Sequence, residues 1–153
     1  MNSPPDLNRL ARLYRWMEWC TFGPALQRCR RAFLPQLSSS RRALALGDGD
    51  GRFTACLLRA NPQVQVDALD ASSAMLEALA RRAGPHQVRL RTLCTDIRSW
   101  QPSGPPYDLV LAHFFLDFLT TGEVLDLACR LRTAVSPSAK WVISEFVIPE
   151  SWF

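Results

Sequence analysis

The chain is poor in the features that mark several protein classes. Its five cysteines, Cys20, Cys29, Cys56, Cys94 and Cys129, are odd in number and widely spaced. They form no Cys-x-x-Cys pair and no zinc pattern with His86 or His113. They read as small buried apolar residues in a reducing, cytoplasmic setting. No continuous apolar run is long enough to cross a membrane, and the Pro4-Pro5-Asp6 start does not resemble a secretion signal. Disorder is equally disfavoured, because 48% of the residues are hydrophobic and 21% charged. There is no long basic block: the net charge of +4 comes from arginines scattered along the chain, a pattern that argues against nucleic-acid binding. At 153 residues, one core is expected.

What is present begins with helical periodicity. Leu7, Leu10, Leu13, Tyr14 and Met17 recur at three and four, and a second pattern runs through Leu26, Cys29, Phe33 and Leu37 beyond Gly23-Pro24. Residues 1–40 are therefore expected to be an N-terminal helical extension or lid, and 41–153 the core. From Ala43 onward short apolar runs alternate with helical patterns. Strands are expected at Ala43–Leu46, Val64–Leu69, Val88–Leu93, Leu109–Ala112 and Trp141–Ile148, with helices at Phe53–Leu58, Ala74–Ala83 and Glu123–Val135. Such alternation implies βαβ units, hence an α/β, doubly wound, mostly parallel sheet.

Between the first strand and its helix stands Gly47-Asp48-Gly49-Asp50-Gly51. Glycines here allow a tight turn and remove the Cβ atoms that would hold a nucleotide away from the backbone. A dinucleotide fingerprint would place its third glycine where Arg52 stands, and Asp48 and Asp50 would repel a pyrophosphate. The acids suit a phosphate-free, positively charged ligand, unless they merely cap the turn or the helix. Asp70 ends the second strand about twenty residues on, where a carboxylate can accept both hydroxyls of a ribose. Ser72 or Ser73 reads as the next helix cap, and Met75 as core or adenine wall. Asp96 with Ile97, after the third strand, offers an acceptor and an apolar surface for a purine, although an aspartate there is also a common turn residue. Acids at the ends of three successive strands converge on one edge.

The segments Ala43–Phe53, Val66–Leu76, Cys94–Trp100 and Tyr107–Leu119 resemble the successive motifs of the class I (Rossmann-like) S-adenosylmethionine-dependent methyltransferase family, over roughly residues 42 to 148. The resemblance implies that S-adenosylmethionine is the cofactor. Gly47 to Gly51 would lie along its methionine part, Asp70 would bind the ribose with Ala71 and Met75 nearby, and Asp96 and Ile97 would hold the adenine. The chain departs from the family at Ala45, where an acidic residue usually precedes the loop.

The acceptor side is expected at His113-Phe114-Phe115-Leu116-Asp117, with His113 as a base, Asp117 orienting it or binding substrate, and Phe114 against a small-molecule acceptor. The alternative is a His113 bonded to backbone, with Phe114, Phe115 and Phe118 filling the core. Tyr14, Trp16, Trp19 and Phe22 would cover the acceptor or pack their helix onto the domain. The family continues through a further helix and two strands beyond a fifth strand. A truncated member, a piece of a longer frame, or a protein whose open sheet edge is covered by a second copy or a partner is therefore expected. Two other readings are a catalytically silent adenosyl-binding or assembly protein and, disfavoured by Arg52 and the loop acids, a nicotinamide-dependent oxidoreductase.

Overall fold

The computed structural model describes residues 28–145. The predicted helix with Tyr14, Trp16, Trp19 and Phe22, and the last residues of the predicted fifth strand, lie outside them. Five strands form one parallel sheet in the order β3-β2-β1-β4-β5. They are β1 (Arg42–Leu46), β2 (Gln65–Asp70), β3 (Leu90–Cys94), β4 (Tyr107–His113) and β5 (Val135–Ser144). The helices are α1 (Arg52–Ala60), α2 (Ser73–Ala83) and α3 (Thr121–Arg132). The doubly wound α/β class expected from the alternation is the observed one.

The central strands are apolar along their length because both faces are covered. In β1, Ala43 and Ala45 face a core built with Phe53, Leu57 and Leu58 of α1 and Leu76 and Leu79 of α2. Leu44 and Leu46 face the opposite core, with Leu127 and Leu131 of α3. No helix connects β3 to β4. Pro102, Pro105 and Pro106 supply no amide hydrogens for one, and Ile97 and Trp100 cover that face instead.

Element ends follow local chemistry. Ser72 caps α2 by accepting the Met75 amide. Thr120 and Glu123 form a reciprocal capping box at α3. Several boundaries differ from expectation, among them the fifth strand, which was expected from Trp141 and begins at Val135. The strand predicted from Val88 begins at Leu90, because Gly84-Pro85 opens a 3-10 turn through Arg89 and leaves Val88 87% exposed. The helix predicted to Val135 ends at Arg132, and Val135 opens β5. The pattern carrying Leu37 gives way to a 3-10 turn at Leu34–Leu37, with a proline in its first residues.

The cysteines are a further correction. Cys56 is buried, but Cys29, Cys94 and Cys129 are exposed. Cys94 ends an edge strand, and Cys129 lies two residues from both Leu127 and Leu131, on the face of α3 away from the core. At the other edge Trp141 and Ile143 of β5 are 44% and 48% exposed. Among the described residues no strand pairs beyond β5 or β3.

At the amino ends of the strands a polar cluster is buried. Asp67 Oδ2 accepts the Tyr107 hydroxyl at 2.7 Å and Arg42 Nη2 at 2.8 Å. The Arg42 guanidinium also lies 4.9 Å from the centre of the Tyr107 ring. Burial, then the Asp67 carboxylate, push the Tyr107 hydroxyl up to about 12. The unfolded hydroxyl titrates at 10.0, so the folded protein retains a proton that the unfolded chain loses between these values. Wild-type stability from this group is complete below pH 10.0 and is lost as pH rises through about 12. Tyr107→Phe is expected to cost about 1–3 kcal/mol by removing a donor from a buried carboxylate, and to flatten that alkaline decline. Urea denaturation from neutral to alkaline pH checks both.

Candidate functional site

Because the strands are parallel, the glycine loop, Asp70, Asp96, the residues after His113 and Glu145 all follow carboxyl ends on one edge of the sheet. Gly47, Gly49 and Gly51 have φ of 57°, 57° and 74°, the left-handed region that favours glycine. Their surroundings differ. A Cβ on Gly47 would lie 2.1 Å from Cδ2 of Phe115, and one on Gly51 would lie 2.3 Å from Cγ of Leu79. At Gly49 it would meet nothing within 4 Å. Two of the glycines are thus required by the protein's own packing, and Gly49 turns its bare face to open space.

The loop acids also separate. Asp48 Oδ2 accepts the Thr54 amide at 2.8 Å and so caps the first turn of α1. Burial, opposed by hydrogen bonds from Thr54 and by the charge of Arg30, raises its carboxyl to about 6. Asp50 is 8% exposed, and its Oδ2 pairs with Arg82 at 2.7 Å and Arg52 at 3.2 Å. Its charge is neutralised inside the protein, which corrects the expectation that it attracts a cationic ligand.

Asp70 is partly exposed beside the open glycine. Its Oδ1 accepts the Ser72 amide at 2.8 Å, and the nearby Gly49 amide acts on the same carboxylate, lowering its proton affinity. Burial still raises its proton affinity above the ordinary carboxylate value. Ala71 is exposed, and Met75 is half-buried on α2. Asp96 is exposed and accepts the amide of Arg98 at 2.9 Å and its guanidinium at 3.3 Å; Arg98 also reaches Glu123 at 2.5 Å. Ile97 is corrected: at 5% exposure it belongs to the core with Trp100 and Leu127, and offers no surface to a purine.

The predicted His113–Asp117 pair is not assembled. His113 is 4% exposed, its Nδ1 lies 2.9 Å from Ser144 Oγ, and its ring packs 4.5 Å from that of Phe53. Nε2 is buried without a hydrogen-bond partner among the described residues. Burial first, and the Arg30 charge second, lower the imidazole to about 4, so it is neutral at pH 7. Asp117 is exposed on a 3-10 turn (Leu116–Phe118), and its charge acts on Glu145. Phe114 is 9% exposed with the Arg30 guanidinium 5.2 Å from its ring centre, so it faces the protein more than an acceptor. Phe118, an alternative core residue, is 59% exposed.

Three residues at this edge were given no site role from sequence, Arg30, Arg82 and Glu145, and Phe115 was expected only within the acceptor segment or the core. Each acts on residues distant along the chain, and the contact of Phe115 with Gly47 likewise carried no local signal. Among the described residues no group of acids, histidines and cysteines could hold a metal, and no helix is long and apolar enough to cross a membrane. A polar cavity of about 250 Å³, lined in part by Gln101, Tyr107, Arg130 and Thr133, lies at the amino ends of β4 and β5, away from the glycine loop.

Asp48 titrates at about 6 when folded and 3.8 when exposed, so its contribution to stability is complete below pH 3.8 and disappears as pH rises through about 6. Asp48→Asn keeps an oxygen for the Thr54 amide and removes the buried charge. It is expected to add up to about 3 kcal/mol at about pH 8 and little at about pH 4. Denaturation curves at both pH values check this, and an equal effect at both contradicts it.

Comparison with known proteins agrees with this architecture. Residues 43–138 match the family model described as a methyltransferase domain. The chain is 33% identical over 107 residues to a malonyl-acyl-carrier protein O-methyltransferase of Halorhodospira halophila, covering 69% of this chain and 35% of that protein. It is 31% identical over 106 residues to a trans-aconitate 2-methyltransferase of Mycobacterium tuberculosis, covering 69% and 37%. It therefore spans about a third of the length of these curated relatives. Among solved structures it resembles the S-adenosylmethionine-dependent methyltransferase SibL in its apo form, with a TM-score of 0.67, 28% identity, and coverage of 92% of this chain and 40% of that one. The DhpI–SAH complex shares the fold at a TM-score of 0.68 and 22% identity, covering 89% and 65%. With its parallel sheet, its glycine turn after the first strand and a family match across most of the core, the chain belongs to the class I methyltransferase domain family.

Proposed function

We propose that this chain binds S-adenosylmethionine at the carboxyl edge of its sheet and forms the donor-binding part of a methyltransferase acting on a small-molecule acceptor. The observation that carries the reading is the adjacency of Gly49 and Asp70: a bare backbone facing open space, beside a partly exposed carboxylate whose proton affinity the Gly49 amide lowers. Asp70 retains lone pairs for the ribose hydroxyls after accepting the Ser72 amide. Ala71 and Met75 flank that position from the start of α2, and Asp96 supplies an acceptor for the adenine amino group. Gly47 to Gly51 lie along the methionine part. Asp48, with a carboxyl at about 6, is largely ionised at neutral pH and takes over the negative charge that Ala45 does not provide.

When bound, the donor supplies a methyl group activated by its positively charged sulfur. The protein's task is then alignment of the acceptor with the sulfur–methyl axis and exclusion of water, and a dedicated base is optional. A neutral, buried His113 fits a positioning role better than proton transfer. Names of the relatives support small organic or carrier-borne acids as the acceptor class.

Calorimetric titration with S-adenosylhomocysteine checks the assignment. The wild-type chain is expected to bind it and not NAD, and Asp70→Ala to weaken binding about tenfold or more through loss of the ribose contacts. Unchanged affinity in Asp70→Ala would remove that residue from the site.

A further inference from the structure

Glu145 stands immediately after β5 and is used by nothing so far described. Its Oε1 accepts two consecutive amides, Phe115 at 3.1 Å and Leu116 at 2.7 Å. The chain prepares those amides. Phe114 has φ of 55°, a conformation uncommon for a bulky residue, and its own amide is held by the Ser144 carbonyl at 2.6 Å. A left-handed residue followed by ordinary ones turns successive amides toward one point and makes a small anion-binding concavity. Glu145 fills it. Its Oε2 is buried without a hydrogen-bond partner among the described residues, and the neighbouring Asp117 carboxylate acts on the same group.

The turn matters because of where it puts the next ring. Phe115 packs against the second core, with Cδ2 where a Cβ on Gly47 would stand. The loop is therefore walled at Gly47 and open at Gly49. We infer that Glu145 is a positioning residue of the donor site: by holding the Phe115–Leu116 amides it sets the Phe115 ring as the wall against which the amino-acid end of the donor lies. This rests on the proposed binding of S-adenosylmethionine along the same loop. The adenosine end, near Asp70 and Asp96, is not touched by the wall, so the influence of Glu145 is confined to the methionine half of the ligand.

The test compares two ligands on the full chain: S-adenosylhomocysteine, which carries the amino-acid end, and methylthioadenosine, which lacks it. Glu145→Ala is expected to weaken the first about tenfold and to leave the second within about twofold. Glu145→Gln, which keeps an oxygen facing the two amides, restores most of the loss. Phe115→Ala removes the wall directly and reproduces the selective loss. Thermal unfolding confirms that each variant is folded; should Glu145→Ala not fold, Phe115→Ala decides by the same criterion. A wild-type chain that binds neither ligand overturns the donor reading itself. Wild-type binding with equal loss of both ligands, no loss, or tighter S-adenosylhomocysteine binding in Phe115→Ala overturns the role of Glu145 while leaving that reading intact.

Discussion

Between the end of β1 and the start of α1 the backbone must turn within five residues, with the Phe115 ring against one end of the turn and Leu79 against the other. Only glycine fits both contacts, and only glycine adopts the required positive φ without steric cost. This constraint couples the fold to the site. Leu79 belongs to the core shared by α1, α2 and the central strands, whereas Phe115 packs on the opposite core. The loop is thus held from both faces of the sheet, and the free surface at Gly49 is what that packing leaves over.

The carboxylates around this turn divide by environment. Asp48 caps α1, Asp50 is neutralised by two arginines, Asp70 is partly exposed beside Gly49, and Asp96 is exposed with Arg98. The acids near the loop are therefore not equivalent in the charge they present to solvent. Asp50 ties α1's approach to α2 through Arg82, and in doing so removes its own charge from the field a ligand would feel. Glu145 is similarly engaged, but with backbone amides, and its effect reaches the loop through a ring rather than through charge.

Much of the fold is legible in the sequence because β1, β2 and β4 are buried on both faces and read as short apolar runs. β5 was only half legible. Its first residues include Ser136, Pro137 and Ser138, which read as a loop. They fall where the pairing with β4 shifts from Tyr107–Val135 to Leu109–Lys140, an irregularity that accommodates a proline in an edge strand. In the site, the glycine spacing and the position of Asp70 were readable from local pattern. The distinct duties of Gly47, Gly51, Asp50 and Ile97 were not, because each is set by a partner remote in sequence. His113 and Asp117 illustrate the converse: proximity along the chain suggested a pair, yet the turn after β4 sends one side chain inward and the other to solvent.

The central claim is that the open backbone at Gly49 and the carboxylate of Asp70 form one adenosyl-binding surface. A crystal structure of the chain with S-adenosylhomocysteine tests it most directly. Ribose hydroxyls on Asp70 and ligand atoms in van der Waals contact with the Gly49 backbone are the expected result. A nucleoside bound at the opposite edge, beside Arg130 and Tyr107, with the space over Gly49 empty, would contradict it.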